Sequence, residues 1–139
     1  MLNIRFADPV DLAAIMTFDA LPGDRIVEIV ERRMLVIDVD DRPQGYVSWQ
    51  QNGCIGKDYV NKLVVNNAHR RQGMAQQLIA SLDMAMVGRI FISAARSNIA
   101  AIRLLEVTHW TRAGEIIGLL PLEEPELFFY KDLGTEARQ

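Results

Sequence analysis

The sequence predicts an α/β sandwich built on a mixed sheet of about seven strands flanked by about four helices. Three observations predict it. Half of the 139 residues are apolar, which suits one compact domain with a true core. The hydrophobic spacing switches between a two-residue and a 3.6-residue period in the order β-α-α-β-β-β-α-β-α-β-β. The fourth and fifth strands are joined by a helix, so they are expected side by side and parallel through a right-handed crossover, while the strands before them pair antiparallel.

Met1 to Phe6 alternates as a strand. Asp8-Pro9-Val10-Asp11 then starts a helix, with Asp8 as N-cap, Pro9 in the first helical position and Asp11 complementing the dipole. Leu12, Ile15 and Met16 give that helix its apolar face. Pro22-Gly23 breaks the chain before a second helix, capped by Asp24 and carrying Ile26, Ile29 and Val30 at core spacing. Met34 to Val39 and Gly45 to Gln50 form a hairpin around residues 40–44, and residues 52–56 are expected as a loop. Tyr59 to Val65 is the fourth strand. From about Gly73 the pattern turns helical, with Ala75, Leu78, Ile79, Leu82 and Met86 on one face and Gly88 as the stop. Arg89 to Ala94 is the fifth strand, Asn98 to Thr108 a further helix, and Glu115 to Leu119 and Leu127 to Lys131 the last strands. Residues 1–134 are expected as one domain and 135–139 as a frayed tail.

The bulk numbers exclude several classes. A net charge of −3 argues against bulk nucleic-acid or anionic-membrane binding. One cysteine, Cys54, rules out an intrachain disulfide, and the N-terminus does not read as a signal peptide, so a cytoplasmic protein is expected. No apolar run approaches the ~18 residues of a membrane span. His69 and His109 lack the carboxylate or thiolate pattern of a metal site, and no metal is expected. Glu123-Glu124-Pro125-Glu126 reads as a solvated turn whose charge would attract a cationic acceptor.

The chemistry concentrates in Leu63-Val64-Val65-Asn66-Asn67-Ala68-His69-Arg70-Arg71-Gln72-Gly73-Met74-Ala75, a strand, a short polar loop and a helix start without a conventional cap. Arginines at a helix N-terminus oppose the macrodipole, and the first-turn N–H groups lack an acceptor. An external anion resolves both problems, turning the free amides, the arginines and the glycine into a phosphate cradle. The P-loop ending and the three-glycine dinucleotide fingerprint are both absent.

On these residues the sequence resembles the GCN5-related N-acetyltransferases (GNAT). Leu63-x-Val65 followed by Arg70-x-x-Gly73-x-Ala75 matches their cofactor loop, and Asn98-x-x-Ala101-Ile102-x-Leu104, ending in Trp110, matches a second signature at the expected distance. The resemblance implies that strands four and five part and that acetyl-CoA lies in the cleft between them as cosubstrate. Its pantetheine arm would bond like an extra strand to Leu63, Val64 and Val65. Its pyrophosphate would sit on the amides of Arg71, Gln72, Gly73, Met74 and Ala75, beside Arg70 and Gln76, and Asn98 would meet the arm near the thioester. The implied reaction is direct transfer of the acetyl group to a primary amine, on a small molecule or a protein, in a ternary complex. The loop between the first two helices and the loop before the last strand would select the acceptor. The resemblance leaves a homodimer open, and a longer acyl-CoA donor would keep the same fold.

Two positions depart from the family. Where many members carry a tyrosine that protonates the leaving thiolate stands Leu105, and where amino-terminal acetyltransferases carry a glutamate base stands Ser93. Three readings stay open. Proximity alone supplies ~7 kcal/mol or more to an amine already deprotonated. Alternatively Tyr59, Asn61 or Tyr130 takes over proton transfer. In the third, the chain binds acyl-CoA as a non-catalytic or regulatory module.

Overall fold

The computed structural model describes residues 2–69 and 73–137. The elements run β1 (Leu2–Phe6), a 3₁₀ turn (Pro9–Asp11), α1 (Leu12–Met16), α2 (Arg25–Val30), β2 (Met34–Val39), β3 (Arg42–Cys54), β4 (Lys57–Val65), α3 (Met74–Ala80), β5 (Arg89–Ala95), α4 (Ile99–Val107), β6 (Thr111–Ile116) and β7 (Glu126–Asp132). The seven strands make one sheet in the order β1-β2-β3-β4-β5-β7-β6. Every neighbouring pair is antiparallel except β4 and β5, which are parallel as the helical crossover requires.

Local chemistry explains the first elements. The Asp8 side chain accepts from the Val10 amide, and the Asp11 carboxylate accepts from the Asp8 amide in return, a closed capping box. Arg5 then clamps Asp11 at 2.8 Å and Asp38 at 2.7 Å, tying β1, the helix start and β2 together. Asp24 caps α2 by accepting from Ile26. The two hairpin turns are tighter than the sequence suggests. Asp40 and Asp41 (φ 50° and 67°) link β2 to β3, and Ile55 and Gly56 (φ 48° and 85°) link β3 to β4. Two residues at positive φ match the twist of the strands they join, so each strand resumes at once.

Two cores flank the sheet. On one face α3 and α4 cover Leu35, Val47, Trp49, Val60, Ile90, Ile92, Leu127 and Phe129. On the other, α1 and α2 cover Met34, Val36 and Tyr46 through Ile15 and Ile29. Four expectations are corrected here. Met16 and Val30 are 57% and 66% exposed, because helices of five and six residues turn only one side to the sheet. The third helix stops at Ala80 and continues as a 3₁₀ turn over Leu82–Met84, with Gly88 leading into β5 at φ 70°. The sixth strand is Thr111–Ile116, not Glu115–Leu119: it is a fully exposed edge strand without apolar alternation, and the apolar run after it is a loop. Glu126 belongs to β7 and not to a solvated turn.

Candidate active site

The parallel pairing of β4 and β5 lasts only three registers, Asp58↔Ile90, Tyr59↔Phe91 and Val60↔Ile92. Beyond Val60 the strands part. The cause lies in β4: its register to β3 steps from Val60↔Trp49 to Lys62↔Ser48, leaving Asn61 as a bulged extra residue. A bulge bends its strand and resets the alternation of side chains. Lys62 and Val64 thereby face α1 and α2, while Leu63 and Val65 join the core under α3 and α4.

The backbone follows the same logic. The Asn66 amide donates to the Gln44 carbonyl at 2.8 Å, which makes Gln44/Asn66 a hydrogen-bonded pair in the antiparallel ladder. Bonded pairs alternate, so Val64 and Lys62 also bond to β3 and the N–H and C=O groups of Leu63 and Val65 turn the other way, into the gap beside β5. A cleft of about 700 Å³ opens there. Leu63, Val64, Val65, Gly73, Met74, Ala75, Gln76 and Asn98 all line it, so the structure brings together every cofactor-loop candidate it describes. Arg70, Arg71 and Gln72 lie outside the described residues.

Gly73 enters α3 in the left-handed region at φ 77°, and among the described residues no side chain caps the helix. Among the described residues, nothing beyond the adjoining backbone lies within 4 Å of where a β-carbon at Gly73 would stand. At the second signature Asn98 caps α4, its side-chain oxygen accepting from Ala101 at 3.1 Å. Leu104 lines the cleft, but Leu105 is 2% exposed and packs in the core.

Where the strands part, three groups from three strands meet. The Tyr59 hydroxyl lies 2.6 Å from Ser93 Oγ, and Ser93 donates to Glu126 Oε2 at 2.7 Å. Burial pushes the Tyr59 phenol above its ordinary pKa, and the Glu126 carboxylate pushes the same way. Asn61 is held elsewhere, with its amide oriented to donate to the Ser48 carbonyl and accept from Lys62. Tyr130 packs on Phe91 with ring centroids 6.0 Å apart, and the Arg89 guanidinium sits 4.1 Å over its ring. Ser93 and Glu126 were not among the sequence candidates. Their pairing spans two strands, and no local spacing announces it.

The opposite wall is the loop between α1 and α2, where Phe18, Ala20 and Leu21 face the cleft. It is fastened from beneath. Asp19 bonds Arg25 and the Tyr46 hydroxyl, both ion-pair side chains being 1% exposed, and Arg25 also donates to the Leu21 and Pro22 carbonyls. The near-buried Lys62–Glu28 pair locks β4 to α2. His69 also lines the cleft, and its buried Nδ1 has no partner among the described residues. Also among the described residues, no cluster of His, Cys, Asp or Glu is placed to hold a metal, and no helix is long and apolar enough to cross a membrane.

A parted parallel pair, a glycine-entered helix beside it and a second helix capped by asparagine define an acyl-CoA-type cleft. The family model of the GNAT acetyltransferases matches residues 9–109, and the chain belongs to that family. Among solved structures it is similar to a GNAT-family acetyltransferase of Bacillus cereus (TM-score 0.84, 22% identity, 96% of this chain and 98% of that one). The ribosomal-protein-S18-alanine N-acetyltransferase of Escherichia coli gives 0.77 at 17% identity, over 100% and 98%. The yncA protein of Salmonella typhimurium, solved with its cofactor acetyl-CoA, gives 0.77 at 18% identity, over the same shares. No curated protein matches the chain by sequence.

Proposed function

We propose that the protein transfers an acetyl group from acetyl-CoA to a primary amine by direct attack in a ternary complex. The observation that carries this reading is the parting of β4 and β5, which leaves the Leu63 and Val65 backbone groups facing a cleft that runs to Gly73. Pantetheine carries two amides and can pair with that edge as a strand would. The first-turn amides of Met74 and Ala75 then meet the pyrophosphate, beside Arg70, Arg71, Gln72 and Gln76. This places the thioester toward the point where the strands join, near Tyr59, Ser93 and Asn98. The amine enters past Phe18 and Leu21 and attacks the thioester carbon, and the thiolate leaves with the proton that the nitrogen sheds. Holding both reactants in one cleft supplies much of the rate.

The test is thermal unfolding with acetyl-CoA, with NAD and ATP as controls, followed by CoA release across a panel of amines. Ligand at ~100 times its dissociation constant stabilises a fold by about 2.7 kcal/mol, a shift of several degrees in a domain of this size. A shift with acetyl-CoA alone and CoA release with an amine are expected. No shift at saturation would remove the reading, and a shift without CoA release would leave a binding module.

A further inference from the structure

Ser93 has one hydroxyl hydrogen, and it goes to Glu126 at 2.7 Å, since an ionised carboxylate only accepts. At the 2.6 Å contact with Tyr59, Ser93 is therefore the acceptor and Tyr59 the donor. The hydrogens of the chain all run one way, from Tyr59 through Ser93 to Glu126. Tyr59 keeps free lone pairs, and it stands one residue before the point where β4 leaves β5.

Among the described residues, the charge at the far end, on Glu126, has no compensating cation: Arg89 is taken by Asp132, Arg96 by Glu115 and Arg25 by Asp19. Of the other ionisable groups near Tyr59, Cys54 comes from β3, and Tyr130 lies on the same aromatic surface of β5 and β7, packed on Phe91. Phe128 lies along the Tyr59 ring at 6.4 Å. An anion beside aromatic rings suits a cation.

We infer that Tyr59, Ser93 and Glu126 form a one-way proton relay that deprotonates an acceptor arriving as a primary ammonium ion, an inference that rests on the transfer reading above. The ammonium N–H bond breaks and its proton passes to Tyr59 Oη. Tyr59 gives its own proton to Ser93 Oγ, and Ser93 gives its own to Glu126 Oε2. Phenol and hydroxyl are restored, the nitrogen keeps its electron pair, and the one new O–H bond is on Glu126. The neutral amine then attacks the thioester carbon, the C–S bond breaks, and the sulfur takes the second proton that the nitrogen loses. Glu126, half-buried, returns its proton to solvent. Tyr59 is the group that meets the substrate, while Ser93 and Glu126 act through it. Glu126 thereby brings a carboxylate from β7 to the β5 position that Ser93 occupies.

The experiment compares CoA release from acetyl-CoA with two probe amines at pH 7, ethylamine, which is protonated, and trifluoroethylamine, which is neutral. Glu126→Gln keeps an acceptor for Ser93 but cannot take a proton. It should lower kcat/KM for ethylamine by roughly a hundredfold, and far less for trifluoroethylamine, with acetyl-CoA affinity preserved. The ethylamine deficit should shrink as pH rises. Ser93→Ala, which cuts the chain in the middle, should shift the ratio of the two amines in the same direction, and serves if Glu126→Gln does not fold. An unchanged ratio in both variants would overturn the relay and leave the transfer reading standing. Binding of acetyl-CoA by the wild type without CoA release to either amine would overturn the transfer reading and the relay with it.

Discussion

At the scale of single residues, the positions that the sequence exposes are those whose reason is local. Asp8, Asp24 and Asn98 are caps legible from three or four letters, because a cap bonds to amides two or three residues ahead. Gly73 is legible for the same reason: a left-handed entry to a helix selects glycine. Gly73→Ala should cost about 1–2 kcal/mol of stability in urea unfolding without ligand, from backbone strain, since among the described residues a β-carbon there meets nothing beyond the adjoining backbone. Its loss of acetyl-CoA affinity should exceed what that stability loss explains, because the methyl enters the space that the proposed binding mode gives to the phosphates. Unchanged affinity by calorimetry would take the loop out of the binding site. Leu105 teaches the reverse lesson. Its motif position marks it as a missing acid, yet it is buried in the same core cluster as Ile102 and Trp110, so its replacement is first a packing question.

At the scale of elements, α1 and α2 are too short to hold the cleft wall by propensity. Buried polar bonds do it instead, with Asp19, Arg25 and Tyr46 at the centre. Burial opposes ionisation of Asp19, but the bonds from Arg25, Tyr46 and the Leu21 amide outweigh it and hold the carboxyl below its usual range. A folded value below the unfolded ~3.9 means that this stability is complete above about pH 4 and is lost as pH falls through the folded value. Asp11, held down chiefly by the Arg5 hydrogen bond, contributes with the same sign. Asp19→Asn should therefore be less stable than the wild type at pH 7, and the gap between their urea midpoints should narrow as pH is lowered below about 4. A gap independent of pH would show that the ionised carboxylate is not what fastens the loop.

At the scale of the molecule, the sheet is two antiparallel halves, β1–β4 and β5–β7, joined by three registers of parallel pairing and by the core under α3 and α4. The open side of that joint is the cleft. A cosubstrate that pairs with β4 as a strand must protect the amides that face the gap. Hydrogen exchange at Leu63 and Val65 should slow on adding acetyl-CoA, while Val64, already bonded to β3, should change less. Equal protection of all three would point to general tightening and not to strand-like pairing.

The sequence by itself determined the α/β class, the order of elements, the parallel crossover and the loop from Leu63 to Ala75, because each is written in contiguous letters. Periodicity, caps and a motif depend on neighbours within one turn or one strand. It misplaced the sixth strand, since an exposed edge strand buries no face and so leaves no alternation in its letters. Tertiary structure alone decided the rest. The bulge at Asn61 that opens the cleft is visible only in the register to β3, and the Tyr59–Ser93–Glu126 chain exists only because pairing sets three strands side by side. Contacts between residues 34 and 33 positions apart in sequence are fixed by register, and register is a property of the folded sheet.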